Sequence, residues 1–451
     1  MKLSPQSPFD PQALPLMTDL YELAMVQAYW HSGMQAQARF SLFFRELPQQ
    51  RNFMLACGQQ QVCRLITELA FDQSHIERLR QLDMFQPEFL DWLSDFRFSG
   101  RIRTVPEGTP VFPQEPLLEV TAPVAEAQLL ETLVMNFVHL ETVLASKAAR
   151  VVMAAGEKPV VDFGMRRMHG LDAAYRGTRA YKVAGLAGTS HILAGQDFDL
   201  PVRGTMAHSF IQAHGDELAA FKAYARLYPG TTLLVDTYDT LRALDRMIQW
   251  LLDDPQAQIS AIRLDSGDME QQSRQCRERL DEAGFSHIKI LASGGLDEHK
   301  IRHMVERGAP IDGFGVGTAI GAASDAPSLE LAYKLTEYDG QPRLKNSPGK
   351  ASWPGGKQVW RQRDGQGQFR QDQLTHEEES GEGEPLLIIT VDKGQLLESV
   401  IASPDESRDH ARRSIEALPG SVRSLTQPAR YPVIISDRLE ALRQSTLEKL
   451  G

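Results

Sequence analysis

Through the middle of the chain one pattern recurs: a short apolar run, a polar or glycine-rich turn, then a stretch whose apolar positions return at helical spacing. The runs lie at 159–163, 233–235, 259–264, 288–292 and 313–316, and helical stretches between them include 240–252, 269–283 and 297–307. Strand-like runs separated by helices predict parallel strands joined by crossovers. The step from Asp236 to Asp265 equals the step from Asp265 to Gly294, a beat that suits successive βα units of a barrel or of a flat doubly wound sheet. The run ends read DFGMRR, GTSH, GTMAHS, DTYD, RLDSGD, ASGGLD and GVGT. Loops are polar everywhere, but that alone does not put Arg, His and Asp directly at strand termini, where one catalytic face of an α/β barrel needs them.

The flanks read differently. Residues 36–45 (AQARFSLFFR) alternate as a strand does, 100–121 is extended and proline-rich, and 124–150 reads as one long, largely buried helix. After about residue 330 come short strands, turns and a Gly/Glu-rich loop at 376–385. With 451 residues, more than one domain is expected. The predicted architecture is an irregular TIM-like α/β barrel over 151–330 and a second, mostly β domain built from the flanks, 1–150 and 331–451, the latter including a C-terminal extension.

Composition narrows the function classes. The 42% hydrophobic and 24% charged fractions are those of a globular protein. The start, MKLSPQSPFDPQALP, has no apolar export core, and no stretch reads as a membrane span, so a cytoplasmic location and no membrane partner are expected. A formal charge of -11 argues against nucleic acid as partner, though arginine pairs such as Arg166-Arg167 can still hold a small anion. Cys57, Cys63 and Cys276 form no CxxC pair, and the histidines no HExxH, so neither a disulfide framework nor a protein-held metal is expected.

The chemistry sits in the loops. GVGT, with Gly317 and Thr318, and the turn Ser293-Gly294-Gly295 let backbone N–H groups approach an anion after two adjacent late strands. Either alone is as readily a tight turn without ligand. In RLDSGD, Arg263 suits a carboxylate or a ring face. Asp265 suits a ribose diol or a Mg²⁺-bound pyrophosphate, while Asp268 is placed to cap the next helix. His208, in GTMAHS, is by itself more often a structural residue than a reactive one. DFGMRR offers Phe163 and Arg166 as a ligand clamp, against the plainer reading of a core ring beside surface arginines.

Taken together, TDLYELAM (18–25), DFGMRR, GTSH, GTMAHS, VDTYD, IRLDSGD, SGGLDE and GVGT resemble nicotinate phosphoribosyltransferases, in that family's order. NSPGKASWPGGKQVWR (346–361) resembles the family's C-terminal segment, so the likeness spans about residues 15 to 361. It implies a homodimeric enzyme with shared active sites that converts nicotinate and 5-phosphoribosyl 1-pyrophosphate to nicotinate mononucleotide and pyrophosphate in NAD biosynthesis. It further implies coupling to ATP hydrolysis through a phosphorylated histidine, matching His208. Tyr21, Thr205 and Arg263 match the nicotinate-binding positions, with Phe163 and Arg166 lining the ring site and Tyr21 supplied by the partner subunit. Thr318 matches the 5′-phosphate site, and Mg²⁺ would arrive with the pyrophosphate. Asp265 is the carboxylate beside the cationic ribose carbon, in a reaction whose pyridine nucleophile needs no base.

Ser190 stands where the related nicotinamide enzymes carry an aspartate, which favours the acid over the amide. His191 and Met168 depart from the family's commoner residues. Nicotinamide or quinolinate transfer is the nearest alternative. A Schiff-base lyase would rest on Lys289, and a non-catalytic paralogue should have lost His208, Asp265 or the glycine loops.

Overall fold

The computed structural model describes residues 13–347 and 352–449. Residues 1–12 and the 348–351 part of the 346–361 motif lie outside the described residues. The chain divides into two compact units, Lys147–Ser324 and a second made of Met1–Ser146 with Asp325–Gly451. The borders expected after 150 and 330 thus fall after Ser146 and Ser324. The first lies inside the helix Glu131–Ala155, which runs on without a break, so no turn or linker marks it.

In the Lys147–Ser324 unit six strands follow in chain order: β1 (Val160–Asp162), β2 (Gly188–Thr189), β3 (Thr231–Leu234), β4 (Ile259–Leu264), β5 (Lys289–Ala292) and β6 (Gly313–Val316). All pair in parallel, in the order β2-β1-β6-β5-β4-β3. The last strand therefore lies against the first, as in a barrel, but the sheet stays open. Beyond β2 only Thr189 and Val202 form a bridge, and no strand among the described residues joins that bridge to β3. A strand had been expected ahead of GTMAHS. Only two bonds form there, Thr189 N–H to the Pro201 carbonyl and Arg203 N–H to the Thr189 carbonyl, and Pro201 has no N–H to lengthen the ladder towards its own N-terminal side. The unit is a curled parallel half-barrel.

Local sequence explains its helices. Asp239, Asp268 and Asp297 each accept a backbone N–H at the start of Thr240–Asp253, Met269–Glu282 and Glu298–Glu306, the N-cap arrangement that ends a strand-to-helix loop. Leu244, Met247 and Leu251 share one face of the first of these and pack with Ile262, Leu264 and Ile290 of the sheet in one buried cluster. That periodicity is why the strand and helix limits read from sequence agree with the observed ones to within a residue or two.

The flanking unit has a seven-stranded sheet in which both ends of the chain interleave. Gln37–Phe44 pairs on one side with Leu331–Tyr338 and on the other with Leu118–Pro123, and Arg101–Thr104 pairs with Ile388–Asp392. A four-stranded sheet joins Lys357–Arg363, Phe369–His376, Glu384–Pro385 and Val433–Ile435. The unit is less purely β than expected, since Leu20–His31, Gln59–Glu68, Pro404–Glu416 and Asp437–Glu448 are helices. The polar composition of the last two hid an amphipathic pattern that only packing completes. The stretch Val124–Ala155 is long and apolar enough to cross a membrane by length and composition, which the sequence reading had not counted. Its apolar window is 67% buried within the protein, the mark of a core helix.

Candidate functional site

The half-barrel gathers its polar loops at the C-terminal ends of the strands. At their centre is Arg263, the fifth residue of β4, with a side chain only 16% exposed. Its Nε donates to Ser293 Oγ at 2.6 Å, Nη1 to Thr205 Oγ1 at 2.8 Å and Nη2 to Asp265 Oδ1 at 2.5 Å. The guanidinium carbon sits 5.5 Å from the centroid of the Phe163 ring. Of five N–H donors, these three bonds fix the fork and leave two to offer. Four of the expected site residues, on four different loops, thus converge on the fifth.

Asp265 is held as tightly. Its Oδ1 also accepts the Ser293 hydroxyl at 2.5 Å. Burial alone would raise its pKa, but the Ser293 hydroxyl, the Arg263 charge and His208 together hold it below the usual carboxylate range. It is therefore an anion at neutral pH. His208 opens the helix His208–His214. Its Nδ1 meets Thr237 Oγ1 at 3.1 Å, and its Nε2 lies 3.8 Å from Asp265 Oδ2, with the side chain 40% exposed. The ring is pinned at one nitrogen while the other faces an open, anionic space.

The glycine turns are shaped by contact. Gly294 has φ +85°, and a Cβ there would sit 1.7 Å from the Asp265 carbonyl oxygen. A Cβ on Gly315 would strike the Phe163 ring at 2.4 Å, and one on Gly317 would meet the Phe163 carbonyl at 3.0 Å. DFGMRR, SGG and GVGT can pack together only because these positions lack side chains. Gly295, at φ +62°, completes its turn, and Thr318 is exposed as the first residue of the short helix Thr318–Ala322. Arg166 is exposed on the turn Met165–Arg167 and, among the described residues, makes no hydrogen bond or ion pair. Tyr21 belongs to the flanking unit, where it is exposed on the first turn of Leu20–His31.

Two residues that hold this arrangement escaped the sequence reading. Asp162, at the end of β1, accepts Gly164 N–H at 2.7 Å and the Thr189 hydroxyl at 2.7 Å, and its carbonyl accepts Ser190 N–H. It ties DFGMRR to GTS, and burial pushes its carboxyl pKa up against those two bonds. Asp236 Oδ2 accepts Asp265 N–H and the Ser266 hydroxyl, both at 2.8 Å, while its Oδ1 is buried without a partner. Their places inside DFG and VDTYD were the available signal, but a carboxylate's partners on other loops cannot be read from one motif.

The departures from the family pattern are structural. His191 is 6% exposed, and its Nδ1 accepts Ala194 N–H as the cap of Ile192–Asp197, with burial lowering its pKa. Met168 receives the Tyr181 hydroxyl at its sulfur. Lys289 is exposed at the opposite end of β5 from the loops, away from where a Schiff-base lysine would stand. All three cysteines are buried, and none forms a disulfide among the described residues. Among the described residues the one tight group of metal-type ligands is Cys57, Glu107 and Glu141, buried in the flanking unit.

Comparison with known proteins follows this geometry. The family model described as the nicotinate phosphoribosyltransferase N-terminal domain matches residues 16–139, and the nicotinate phosphoribosyltransferase family model matches 159–372. A nicotinate phosphoribosyltransferase of Mycobacterium tuberculosis is 48% identical over 94% of this chain and 92% of its own. One of Bacillus subtilis is 39% identical over 78% and 74%. The crystal structure of human nicotinic acid phosphoribosyltransferase superposes with a TM-score of 0.85 at 28% identity, covering 96% of this chain and 100% of that one.

Proposed function

Because the chain belongs to the nicotinate phosphoribosyltransferase family, we propose that the Arg263 cluster is its nicotinate site and that His208 couples the reaction to ATP. The reaction joins nicotinate to 5-phosphoribosyl 1-pyrophosphate, giving nicotinate mononucleotide and pyrophosphate. The observation that carries the reading is the Arg263 fork, fixed by Thr205, Ser293 and Asp265 over the face of Phe163.

The two unused Arg263 N–H groups take the nicotinate carboxylate, and Phe163 flanks the ring. Tyr21 of a second subunit closes the ring site, and Arg166 meets the anionic substrate. N–H groups of the Ser293-Gly294-Gly295 and Gly317-Thr318 turns bind the 5′-phosphate. The pyridine nitrogen attacks the anomeric carbon as the bond to pyrophosphate breaks. No proton moves, so catalysis rests on positioning and on the Asp265 anion beside the developing positive charge.

Mg²⁺ fits as a companion of pyrophosphate rather than as a resident ion. The site loops present separate carboxylates and no ligand cage, with the orphan Asp236 Oδ1 as the available protein oxygen. When bound it would neutralise the leaving group.

In the ATP half-reaction the γ-phosphoryl P–O bond breaks, a bond to His208 Nε2 forms and ADP leaves. Water later releases phosphate. In the tautomer whose Nδ1–H donates to Thr237 Oγ1, the free electron pair lies on Nε2. An irregular TIM-like barrel, a homodimer and a cytoplasmic location complete this reading.

The test is product identification with nicotinate, nicotinamide and quinolinate in parallel, each with and without ATP. Nicotinate alone should be converted, and ATP should stimulate it. γ-Labelled ATP should leave acid-labile label that His208→Asn abolishes, with slow ATP-independent transfer surviving. Label retained in His208→Asn would remove the assigned acceptor.

A further inference from the structure

A second arginine-lined cavity lies in the flanking unit, built mainly by the C-terminal part of the chain. It measures about 340 Å³ and is walled by the strands Lys357–Arg363, Phe369–His376 and Glu384–Pro385 and the helix Pro404–Glu416. That volume is in the range of small-molecule sites.

Arg361 forms the floor. Its side chain is 2% exposed, and its Nε and Nη2 grip Asp372 at 2.9 and 2.5 Å. Three rings surround the guanidinium, Phe369 at 4.8 Å, Phe112 at 5.7 Å and Tyr431 at 6.0 Å. Behind it the Tyr431 hydroxyl donates to Asp372, and burial and then the Asp372 charge push the Glu115 carboxyl pKa well up. On its inner side the Arg361 charge is met by Asp372. Nη1 makes no hydrogen bond among the described residues, and Arg361 lines the cavity.

Two more guanidinium groups face the same space. Arg363 lies over the Phe369 ring at 4.4 Å, with Nη1 on the Gly367 carbonyl. Arg413 is exposed on the helix and makes no hydrogen bond or ion pair among the described residues. His410 stands between them, its Nε2 3.0 Å from Thr109 Oγ1 and 3.5 Å from Ser414 Oγ. Its pKa is lowered first by burial and then, against Glu384, by Arg413, Arg361 and Arg363 acting together. The one carboxylate of the lining, Glu384, is 3.8 Å from Arg363 Nη2 and 59% exposed, so it screens the arginines only weakly.

We propose that this cavity binds a small phosphate-bearing anion, held by Arg361 Nη1, Arg363 and Arg413 with the Thr109 and Ser414 hydroxyls. Guanidinium groups from one strand (Arg361, Arg363) and from a helix (Arg413) can each meet a different oxygen of a tetrahedral dianion, where a planar carboxylate would engage only one or two. The space beyond a phosphate, lined by Leu386 and Phe369, accepts an organic portion, so a phosphate monoester fits as well as the inorganic ion. The lining belongs to the flanking unit and the Arg263 cluster to the other, and the proposal does not depend on the function assigned there.

Equilibrium dialysis of the full chain with radiolabelled orthophosphate, and with ribose 5-phosphate in parallel, tests it. The control is Arg363→Gln combined with Arg413→Gln. Wild type should bind about one more equivalent per chain than this variant, with affinity lost by roughly tenfold or more at the missing site, while nicotinate turnover stays within about twofold. Equal affinity for both probes identifies a bare phosphate site, and tighter binding of the ester shows that the apolar wall is used. Arg413→Glu, on an exposed residue, repeats the test should the double variant unfold. Identical stoichiometry in wild type and variants would overturn the proposal, as would saturation only at tens of millimolar.

Discussion

Arg263 owes its rigidity to neighbours that would each lose a partner with it. Replacing it by alanine removes a charge-assisted contact to a carboxylate and strips Asp265 of a counter-ion. We expect a loss of about 2–4 kcal/mol in transition-state binding, or roughly 30- to 1000-fold in kcat/KM for nicotinate. The folded variant should show it in steady-state kinetics, and an unchanged kcat/KM would remove Arg263 from the nicotinate site. Lysine should not rescue, because a single ammonium cannot span Thr205, Ser293 and Asp265 at once. Glu217 gives a different residue-scale test. It is 7% exposed at the start of Glu217–Leu227, and its Oε1 has no hydrogen-bond partner. Burial, opposed by Arg246 and aided by Asp216, Asp236 and Asp239, pushes its pKa up to about 7. The folded value lies above the unfolded one, so its contribution is complete below the ordinary carboxylate range and is lost as pH rises through 7. Glu217→Gln should therefore match wild type near pH 4, about the unfolded carboxyl pKa, and, after discounting for solvent screening, be more stable by about 1–2 kcal/mol at pH 8. Denaturant melts at the two pH values decide it: an equal difference at both means the carboxyl is not buried in the acid form. Glu22, also raised to about 7 by burial, leaves the variant some residual dependence.

At the scale of elements, the loops after β4, β5 and β6 work as one block. The two adjacent glycines of the Ser293-Gly294-Gly295 turn make a paired test. At Gly294, alanine meets both a left-handed φ and a backbone oxygen at 1.7 Å, whereas at Gly295 the nearest atom is the flexible end of Lys300 at 3.8 Å. Gly294→Ala should cost more than about 2 kcal/mol and displace Asp265, while Gly295→Ala should cost about 1 kcal/mol, the left-handed penalty alone. Thermal melts and phosphoribosyl pyrophosphate KM values read the contrast, and equal effects at the two positions would contradict the packing described. The helices of this block were legible in the sequence because their start signals are local. Asp239, Asp268 and Asp297 each sit directly ahead of an amphipathic run and cap it. The strand expected before His208 is reduced to the single Thr189–Val202 bridge, because how far a run pairs depends on the neighbour that receives its bonds.

For the whole molecule, the proposed sharing of active sites has a direct check. Tyr21 is exposed on its own unit, as a residue serving a partner must be. Mixed Tyr21→Ala and Arg263→Ala subunits should regain about a quarter of wild-type activity when exchange is statistical, since half the dimers are mixed and each holds one intact site. Exchange demonstrated by mass, with no recovered activity, would count against a site built by two chains. The interleaved sheet of the flanking unit carries a related lesson. The alternation at 36–45 identified a strand, yet its partners Leu331–Tyr338 and Leu118–Pro123 are distant in sequence, and no periodicity encodes a partner.

The sequence by itself determined the βα rhythm, the capped helices, the glycine positions and the placing of Arg263, Asp265, Ser293 and Phe163 at strand ends. Each of these is written in local order, as a repeat of apolar spacing, a cap one residue ahead of a helix, or a side-chain type at a strand end. Tertiary structure alone decided that the sheet curls without closing, that the border between units falls inside a continuous helix, and that Asp162 and Asp236 hold the loops. It also turned His191 into a helix cap and placed Arg361, Arg363 and Arg413 around one cavity. Those outcomes depend on burial and on hydrogen bonds between residues far apart in the chain, whose energies appear only once the backbone has brought the groups together.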